Sequence, residues 1–101
     1  MPHSRFKGAV QGESVLAKDL GAVVWSQREC HGWSQEALAE RANLNRSYIG
    51  ELERGEAIAS IVTLEKLAYA FGFSASHLVD QAERLAHSQV VTGIELTSIA
   101  C

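Results

Sequence analysis

The sequence lacks any apolar run that approaches the ~20 residues needed to span a lipid bilayer. It begins MPHSR, without the apolar block that is typical of a secretory signal peptide. Both absences argue against the membrane-spanning and secreted classes of protein. We therefore expect a cytoplasmic protein with no membrane association.

Cysteine is also scarce, with only Cys30 and Cys101 in the chain. A disulfide between them is not expected in the reducing cytosol. No spacing of the four histidines with either cysteine matches a zinc site. The sequence likewise has no Ser/His/Asp spacing, no Gly-rich phosphate loop and no paired carboxylates in an apolar setting. We expect no enzyme activity, no metal and no cofactor.

A basic excess is missing as well. The 9 lysines and arginines are outnumbered by 12 aspartates and glutamates, which gives a net charge of -3 and a pI near 5.7. Proteins that bind nucleic acid tend to be basic, so the field of the whole molecule would steer such a ligand poorly. The 101 residues, 47% hydrophobic and 21% charged, are typical of one globular domain with a single small core.

What the sequence does contain is a pair of capped helical patterns between Trp33 and Gly55. Ser34 can cap the first helix, which ends at Asn43, a residue suited to the left-handed conformation that follows a helix. Asn45 can then cap a second helix, which Gly55 ends. Two capped helices joined by about three residues are typical of a helix-turn-helix.

Helical patterns also flank this motif, and together they predict a compact all-α fold of five helices. The first runs over Val15–His31, the fourth begins after Ser60, and the fifth begins at Ser74 or Ser76 and ends near residue 87. Gly21 costs about 1 kcal/mol relative to alanine inside a helix, which indicates close packing against a neighbouring helix. The side chains predicted to face the core from these helices are Leu16, Leu20, Val23, Val24, Leu64, Leu67, Ala68, Phe71, Leu78, Val79, Ala82 and Leu85.

The two ends of the chain lack these patterns. Residues 1–14 have no sustained period and favour a flexible N-terminal arm, with a short strand over Phe6–Val10 as the alternative. Residues 89–101 carry β-branched side chains that partly alternate, which favours a short terminal β-strand. A lone strand has unpaired edges, so it needs a partner from the arm or from a second subunit. The predicted division is an arm over 1–14, a helix-turn-helix domain over 15–88 and a strand or dimerisation tail over 89–101.

A larger set of residues, in register across roughly positions 20 to 80, carries a family resemblance. Its members are Leu20, Gly21, Val24, Arg28, Gly32, Trp33, Ser34, Gln35, Leu38, Ala39, Leu44, Tyr48, Ile49, Leu52, Glu53, Arg54, Gly55, Ser60, Thr63, Leu64, Leu67, Ala68, Phe71, Gly72 and Leu78. The set resembles the Xre/Cro-type helix-turn-helix repressors. This resemblance implies a lambda-repressor-like DNA-binding domain whose partner is double-stranded DNA.

The second helix of such a motif lies in the major groove, with its N-terminal residues at the base edges. A recognition helix at about 45–54 would direct Arg46, Ser47, Gly50 and Glu51 toward DNA. Arg46 can reach guanine O6 and N7, and Glu51 can accept from cytosine N4. Gly50 would let the backbone approach the DNA closely. The alternative for Arg46 and Glu51 is an exposed helix face with a weak ion pair.

Contacts to the DNA backbone are expected from residues around this helix. Gln35 matches a glutamine that the resembled family places against a phosphate at the start of the preceding helix. Arg54 is assigned to a phosphate and the Tyr48 hydroxyl to phosphate or sugar, with a tyrosine ring packed on the end of the first helix as the alternative. The resemblance also implies a structural pair of Arg28 with Glu53 close to the DNA backbone, so Arg28 is a candidate DNA-binding residue too.

These features predict a sequence-specific transcriptional regulator, a repressor, that binds a two-fold operator as a homodimer. One subunit has a small recognition surface, so specificity requires two subunits about one DNA turn apart. The apolar helix and strand of residues 78–101 are expected to join them. The loop Glu56-Ala57-Ile58-Ala59 is acidic where the family is basic. It favours the alternative function, a protein-binding adaptor or antitoxin-like subunit that uses strand addition by the C-terminal segment.

Overall fold

The computed structural model describes residues 15–91, with side chains described as far as residue 85. This range contains the helices α1 (Val15–His31), α2 (Gln35–Ala42), α3 (Arg46–Glu53), α4 (Ile61–Phe71) and α5 (Ala75–Val91). The five helices confirm the predicted all-α fold.

The last helix is longer than the sequence pattern predicted. α5 continues to Val91, so Val90 and Val91, which we placed in a terminal strand, are helical. A valine lowers helix stability by less than about 1 kcal/mol relative to alanine. Adding residues to an existing helix also costs less free energy than nucleating a new helix. The domain boundary predicted at residue 88 therefore falls inside α5. The remainder of the predicted strand and the predicted arm over 1–14 lie outside the described residues.

Serine side chains begin three of the helices. The Ser34 hydroxyl accepts from the Ala37 N–H at 3.0 Å ahead of α2, and the Ser60 hydroxyl accepts from the Thr63 N–H at 3.1 Å ahead of α4. Ser74, rather than Ser76, occupies this position for α5 and accepts from the His77 N–H at 3.1 Å. Each bond satisfies a backbone donor that has no partner inside its own helix.

The core forms where α1 packs on α3 and α5, while α2 and α4 cover its remaining sides. Three residues differ from the prediction: Leu16 is exposed, and Leu64 and Val79 are only half-buried. These three residues line a groove near the N-terminal end of α1 instead of filling the core. The core consists of Leu20, Val23, Val24, Leu38, Ala39, Ala42, Ile49, Leu52, Leu67, Ala68, Phe71, Leu78, Ala82 and Leu85.

Gly21 marks the point of closest approach between α1 and α3. A Cβ atom at this position would overlap the carbonyl oxygen of Leu52 and lie 2.9 Å from that of Glu53. The predicted close packing is therefore present, and it brings α1 directly against the C-terminal end of α3.

Asp19 is a buried carboxyl in α1, and its Oδ2 oxygen has no hydrogen-bond partner among the described residues. Burial raises the pKa of Asp19 above its ordinary value of 3.8, because the charged form loses hydration. The folded chain therefore binds this proton more tightly than the unfolded chain does. The stabilisation that follows is complete below pH 3.8 and is lost as the pH rises through the higher pKa of the folded state.

We expect Asp19→Asn to raise the free energy of unfolding at pH 7, because a neutral amide costs less to bury than a carboxylate of the same shape. The gain should shrink as the pH falls and disappear below 3.8. Urea unfolding followed by circular dichroism across this pH range measures it. Asp80→Asn is the control, since Asp80 forms an exposed ion pair with Arg84 and should show no such gain. A mutant less stable than wild type at pH 7 would contradict the prediction.

Three further predictions concern membrane spans, metal sites and the two cysteines. Among the described residues, no helix is both long and apolar enough to cross a bilayer, and no group of three or more His, Cys, Asp or Glu residues could hold a metal ion. Cys30 is disulfide-bonded in the structure, so the expectation that no disulfide forms is wrong at this position. Cys101, the second cysteine of the sequence, lies outside the described residues.

Candidate nucleic-acid interface

α2 and α3 form the helix-turn-helix, and local hydrogen bonds fix the turn between them. Asn43 adopts the left-handed conformation with φ of 56°, and the Leu44 N–H donates to the carbonyl oxygen of Ala39 at 2.8 Å. The Asn45 side chain accepts from the Ser47 N–H at 2.7 Å and begins α3. The angle between the two helices is therefore set by residues that the sequence analysis singled out.

One face of α3 is buried and the opposite face is open. Ile49 and Leu52 belong to the core, whereas Arg46, Ser47 and Glu51 are exposed, as predicted. The Arg46 guanidinium has no ion pair or hydrogen bond with any other described residue. The open face of α3 thus presents a cation, a hydroxyl and a carboxylate to a ligand.

Gly50 differs from the expectation that it faces outward. It is buried, and a Cβ atom at this position would lie 3.2 Å from Nη1 of Arg54 and 3.7 Å from Nε2 of Gln35. The two long side chains cover the glycine, Arg54 from just after α3 and Gln35 from α2. Gly50 therefore makes room for side chains of the protein itself, and it does not present bare backbone on the open face.

The Arg28 guanidinium lies at the centre of a network that joins α1 to α3. Its Nε and Nη2 donate to the two carboxylate oxygens of Glu53 at 2.7 and 3.1 Å, and its Nη1 donates to the Trp33 carbonyl oxygen at 2.8 Å. The Arg28 and Glu53 side chains are only 10% and 5% exposed. The hydrogen bond with Glu53 raises the pKa of Arg28, so the guanidinium remains charged. The pair implied by the resemblance is present, and it places Arg28 inside the fold.

Glu53 also holds Gln35, the first residue of α2. The Gln35 Nε2 donates to Glu53 Oε1 at 3.0 Å, and the glutamine is half-buried. One carboxylate thus orients both Arg28 and Gln35, while the second Gln35 N–H and its carbonyl oxygen have no partner among the described residues. This second role of Glu53 was not predicted, because no spacing rule connects residues on α2 and α3 that are 18 positions apart.

The Tyr48 hydroxyl is engaged within the protein. It donates to the Ile58 carbonyl oxygen at 3.3 Å and lies 3.2 Å from the Thr63 hydroxyl oxygen. The tyrosine ring packs against the core. Tyr48 therefore ties α3 to the linker over residues 54–60, which is a different arrangement from the predicted phosphate contact.

The C-terminal end of α3 combines charges of both signs. Arg54 Nε lies 3.1 Å from Glu56 Oε1, and both side chains are exposed, so the pair is weak and open to exchange. Lys18 approaches from α1, where its Cγ would lie 2.9 Å from a Cβ atom added at Gly55. Lys18 was not among the predicted site residues, although it lies one turn before Gly21 on the side of α1 that meets α3.

Comparison with known proteins identifies relatives of this chain. The family model described as Helix-turn-helix matches residues 26–78. The chain is 37% identical over 67 residues to a competence pilus inhibition repressor of Acinetobacter baylyi, covering 66% of this chain and 61% of the relative. It is 39% identical over 70 residues to the immunity repressor protein of Bacillus phage phi105, covering 69% and 49%. The chain thus spans about half to three-fifths of the length of these repressors.

A solved structure matches the fold as well. The restriction-modification controller protein C.AhdI from Aeromonas hydrophila superposes with a TM-score of 0.59 at 37% identity, covering 61% of this chain and 94% of that protein. The fixed turn between α2 and α3, the open polar face of α3 and these matches lead to one conclusion. The chain belongs to the Xre/Cro-type helix-turn-helix family of transcriptional regulators.

Proposed function

We propose that this chain is a sequence-specific transcriptional regulator, acting as a repressor, that binds double-stranded DNA through α3. The observation that carries the proposal is Arg46. Its guanidinium is exposed at the start of α3 and has no partner among the described residues. A cation left unpaired beside a helix start, in a chain of net charge -3, is available for an anionic or hydrogen-bonding ligand.

Base recognition would come from the open face of α3. Arg46 can donate two hydrogen bonds to guanine O6 and N7, and Glu51 can accept from N4 of a cytosine. Ser47, which lies next to Arg46, is a weaker and less specific reader. Because this face carries so few side chains that can contact bases, a single subunit distinguishes only a short DNA sequence. We therefore propose a homodimer that recognises two half-sites about one DNA turn apart.

Backbone contacts would come from α2 and from the end of α3. The fixed Gln35 amide and the free N–H groups at the start of α2 can meet one phosphate. Arg54 can meet another phosphate after exchanging its weak contact with Glu56, and Lys18 lies at the same end. Arg28 would act indirectly, since Glu53 connects its guanidinium to Gln35.

The proposal includes a cytoplasmic location, and it assigns the chain no catalytic activity, cofactor or small-molecule substrate. The predicted alternative, an adaptor that pairs through its C-terminal segment, depends mainly on residues beyond α5 that lie outside the described range. DNA selection separates the two functions.

Selection of duplexes from a random library tests the proposal, with wild type, Arg46→Ala and Arg84→Ala compared in parallel. Wild type should enrich a palindromic motif with half-sites about 10 base pairs apart. Arg46→Ala should lose a guanine preference and bind the selected duplex about 5- to 150-fold more weakly. Arg84 is an exposed cation on α5, paired with Asp80, so Arg84→Ala should select the same motif as wild type. No enrichment by wild type at low salt would refute the regulator and favour the adaptor.

A further inference from the structure

An apolar groove of about 150 Å³ lies between α1, α4, α5 and the linker that follows α3. Its walls include Leu16, Leu64 and Val79, the three residues that the core leaves incompletely buried. Ile58 stands at its edge and is 80% exposed, and Ile61, one turn before Leu64 on α4, is 72% exposed. We refer to Leu16, Ile58, Ile61, Leu64 and Val79 as the apolar strip.

We propose that a second copy of this chain docks on the apolar strip, which makes the strip the dimer interface. The inference rests on the proposed homodimer and identifies the surface that forms it. An interface between identical chains about a two-fold axis must be self-complementary. The strip meets this requirement because it combines the groove with the protruding side chains of Ile58 and Ile61. The isoleucines of one copy can enter the groove of the other.

The charge pattern favours a second copy over a different partner. Residues 57–64 read AIASIVTL and contain no ionisable side chain, although charged residues are frequent on either side. At a two-fold axis each residue lies near its own counterpart, so any charge there would repel itself. A neutral stretch avoids this repulsion. A partner of different sequence would impose no such restriction.

The sequence predicted residues 78–101 as the dimer surface. The part of that surface that the structure describes is less suitable for docking than the apolar strip. Leu78, Ala82 and Leu85 of α5 are at most 1% exposed because they fill the core of their own subunit. Val79 is the apolar α5 residue that reaches the groove and remains half-buried. Apart from Val79, the apolar side chains of α5 up to residue 85 are therefore already occupied by the core.

The position of the strip suits a DNA-binding dimer. Ile58 is the residue of the strip that belongs to the linker, and it lies close to the end of α3. The Tyr48 hydroxyl of α3 donates to the Ile58 carbonyl oxygen at 3.3 Å. A contact made through Ile58 would therefore hold the two α3 helices at a fixed separation. Specific interfaces of standard size bury about 800 Å² per partner around an apolar centre, and the strip would supply that centre.

Sedimentation equilibrium of the full chain tests the inference, using wild type, Ile58→Asp, Ile61→Asp and Tyr69→Asp. Wild type should be a dimer, and each isoleucine variant should dissociate at least about 100-fold more readily, because the interface would bury an unpaired charge. Tyr69 is 85% exposed on α4 and lies outside the groove, so Tyr69→Asp should dimerise as wild type does. Unchanged circular dichroism would show that all four chains are folded.

A monomeric wild type would overturn the proposed interface, and so would isoleucine variants that dimerise with wild-type affinity. Binding to a duplex containing one half-site separates this result from the regulator proposal. The isoleucine variants should bind one half-site as wild type does but bind the full palindrome more weakly. If wild type dimerises through the strip but binds no DNA, the interface stands and the proposed DNA-binding function fails.

Discussion

Replacing Gly21 with alanine should destabilise the fold by about 3 kcal/mol. The added methyl group would overlap the Leu52 carbonyl oxygen and crowd that of Glu53. Both atoms belong to the backbone of α3, so no side-chain rotation can relieve the overlap, and α1 must move away from α3. The gain of about 1 kcal/mol in helix propensity is too small to offset this loss. For a domain of this size the melting temperature should fall by about 12 °C or more.

Thermal and urea unfolding followed by circular dichroism measure this effect. Gly32→Ala is the matched control, because Gly32 has a positive φ of 72° but no atom within 4 Å of the position that a Cβ would take. Its cost should be limited to the left-handed backbone, about 1–2 kcal/mol. If Gly21→Ala unfolds at the wild-type temperature or above it, the close approach of α1 and α3 is incorrect.

Replacing Glu53 with alanine should cost about 3–5 kcal/mol, because the buried Arg28 guanidinium would lose its bidentate partner. Three donors are affected, since Nε and Nη2 of Arg28 and Nε2 of Gln35 all bond to this carboxylate. An uncompensated buried charge is more destabilising than the loss of an ordinary hydrogen bond. The same substitution should release Gln35, so a folded fraction should also bind DNA phosphates less well.

Glu29→Ala provides the control, because Glu29 lies 3.5 Å from the same guanidinium but its side chain is 54% exposed. Its removal should cost less than about 1 kcal/mol in urea unfolding. A double-mutant cycle with Arg28→Met should show coupling between positions 28 and 53, since each single change leaves the other charge unpaired. A Glu53→Ala chain within about 1 kcal/mol of wild type would contradict a stabilising role for this pair.

The candidate site was predictable to different degrees. Ser47 and Glu51 are exposed as expected, because helical periodicity places them opposite Ile49 and Leu52, and Arg46 is exposed as the first residue of α3. The same periodicity placed Gly50 outward, but Gln35 and Arg54 cover it. Periodicity assigns a position to a face of one helix, and it contains no information about long side chains that reach over from another.

Tyr48 and Lys18 illustrate the same limit. The Tyr48 hydroxyl could meet a phosphate or remain inside the protein, and this depended on where the linker carbonyl of Ile58 lies. The position of Lys18 beside Gly55 depends on how α1 packs against the C-terminal end of α3. Both contacts join segments that are at least ten residues apart, beyond the reach of any local spacing rule.

The sequence by itself determined the helices, their capping residues and the helix-turn-helix, because caps and left-handed turns depend on neighbours within a few residues. Tertiary structure alone decided that Glu53, besides pairing with Arg28, also holds Gln35, that Gly50 is covered, and that an apolar strip remains open beside the linker. These features arise where helices distant in sequence cross. Their geometry depends on how the whole core packs, and no single segment specifies it.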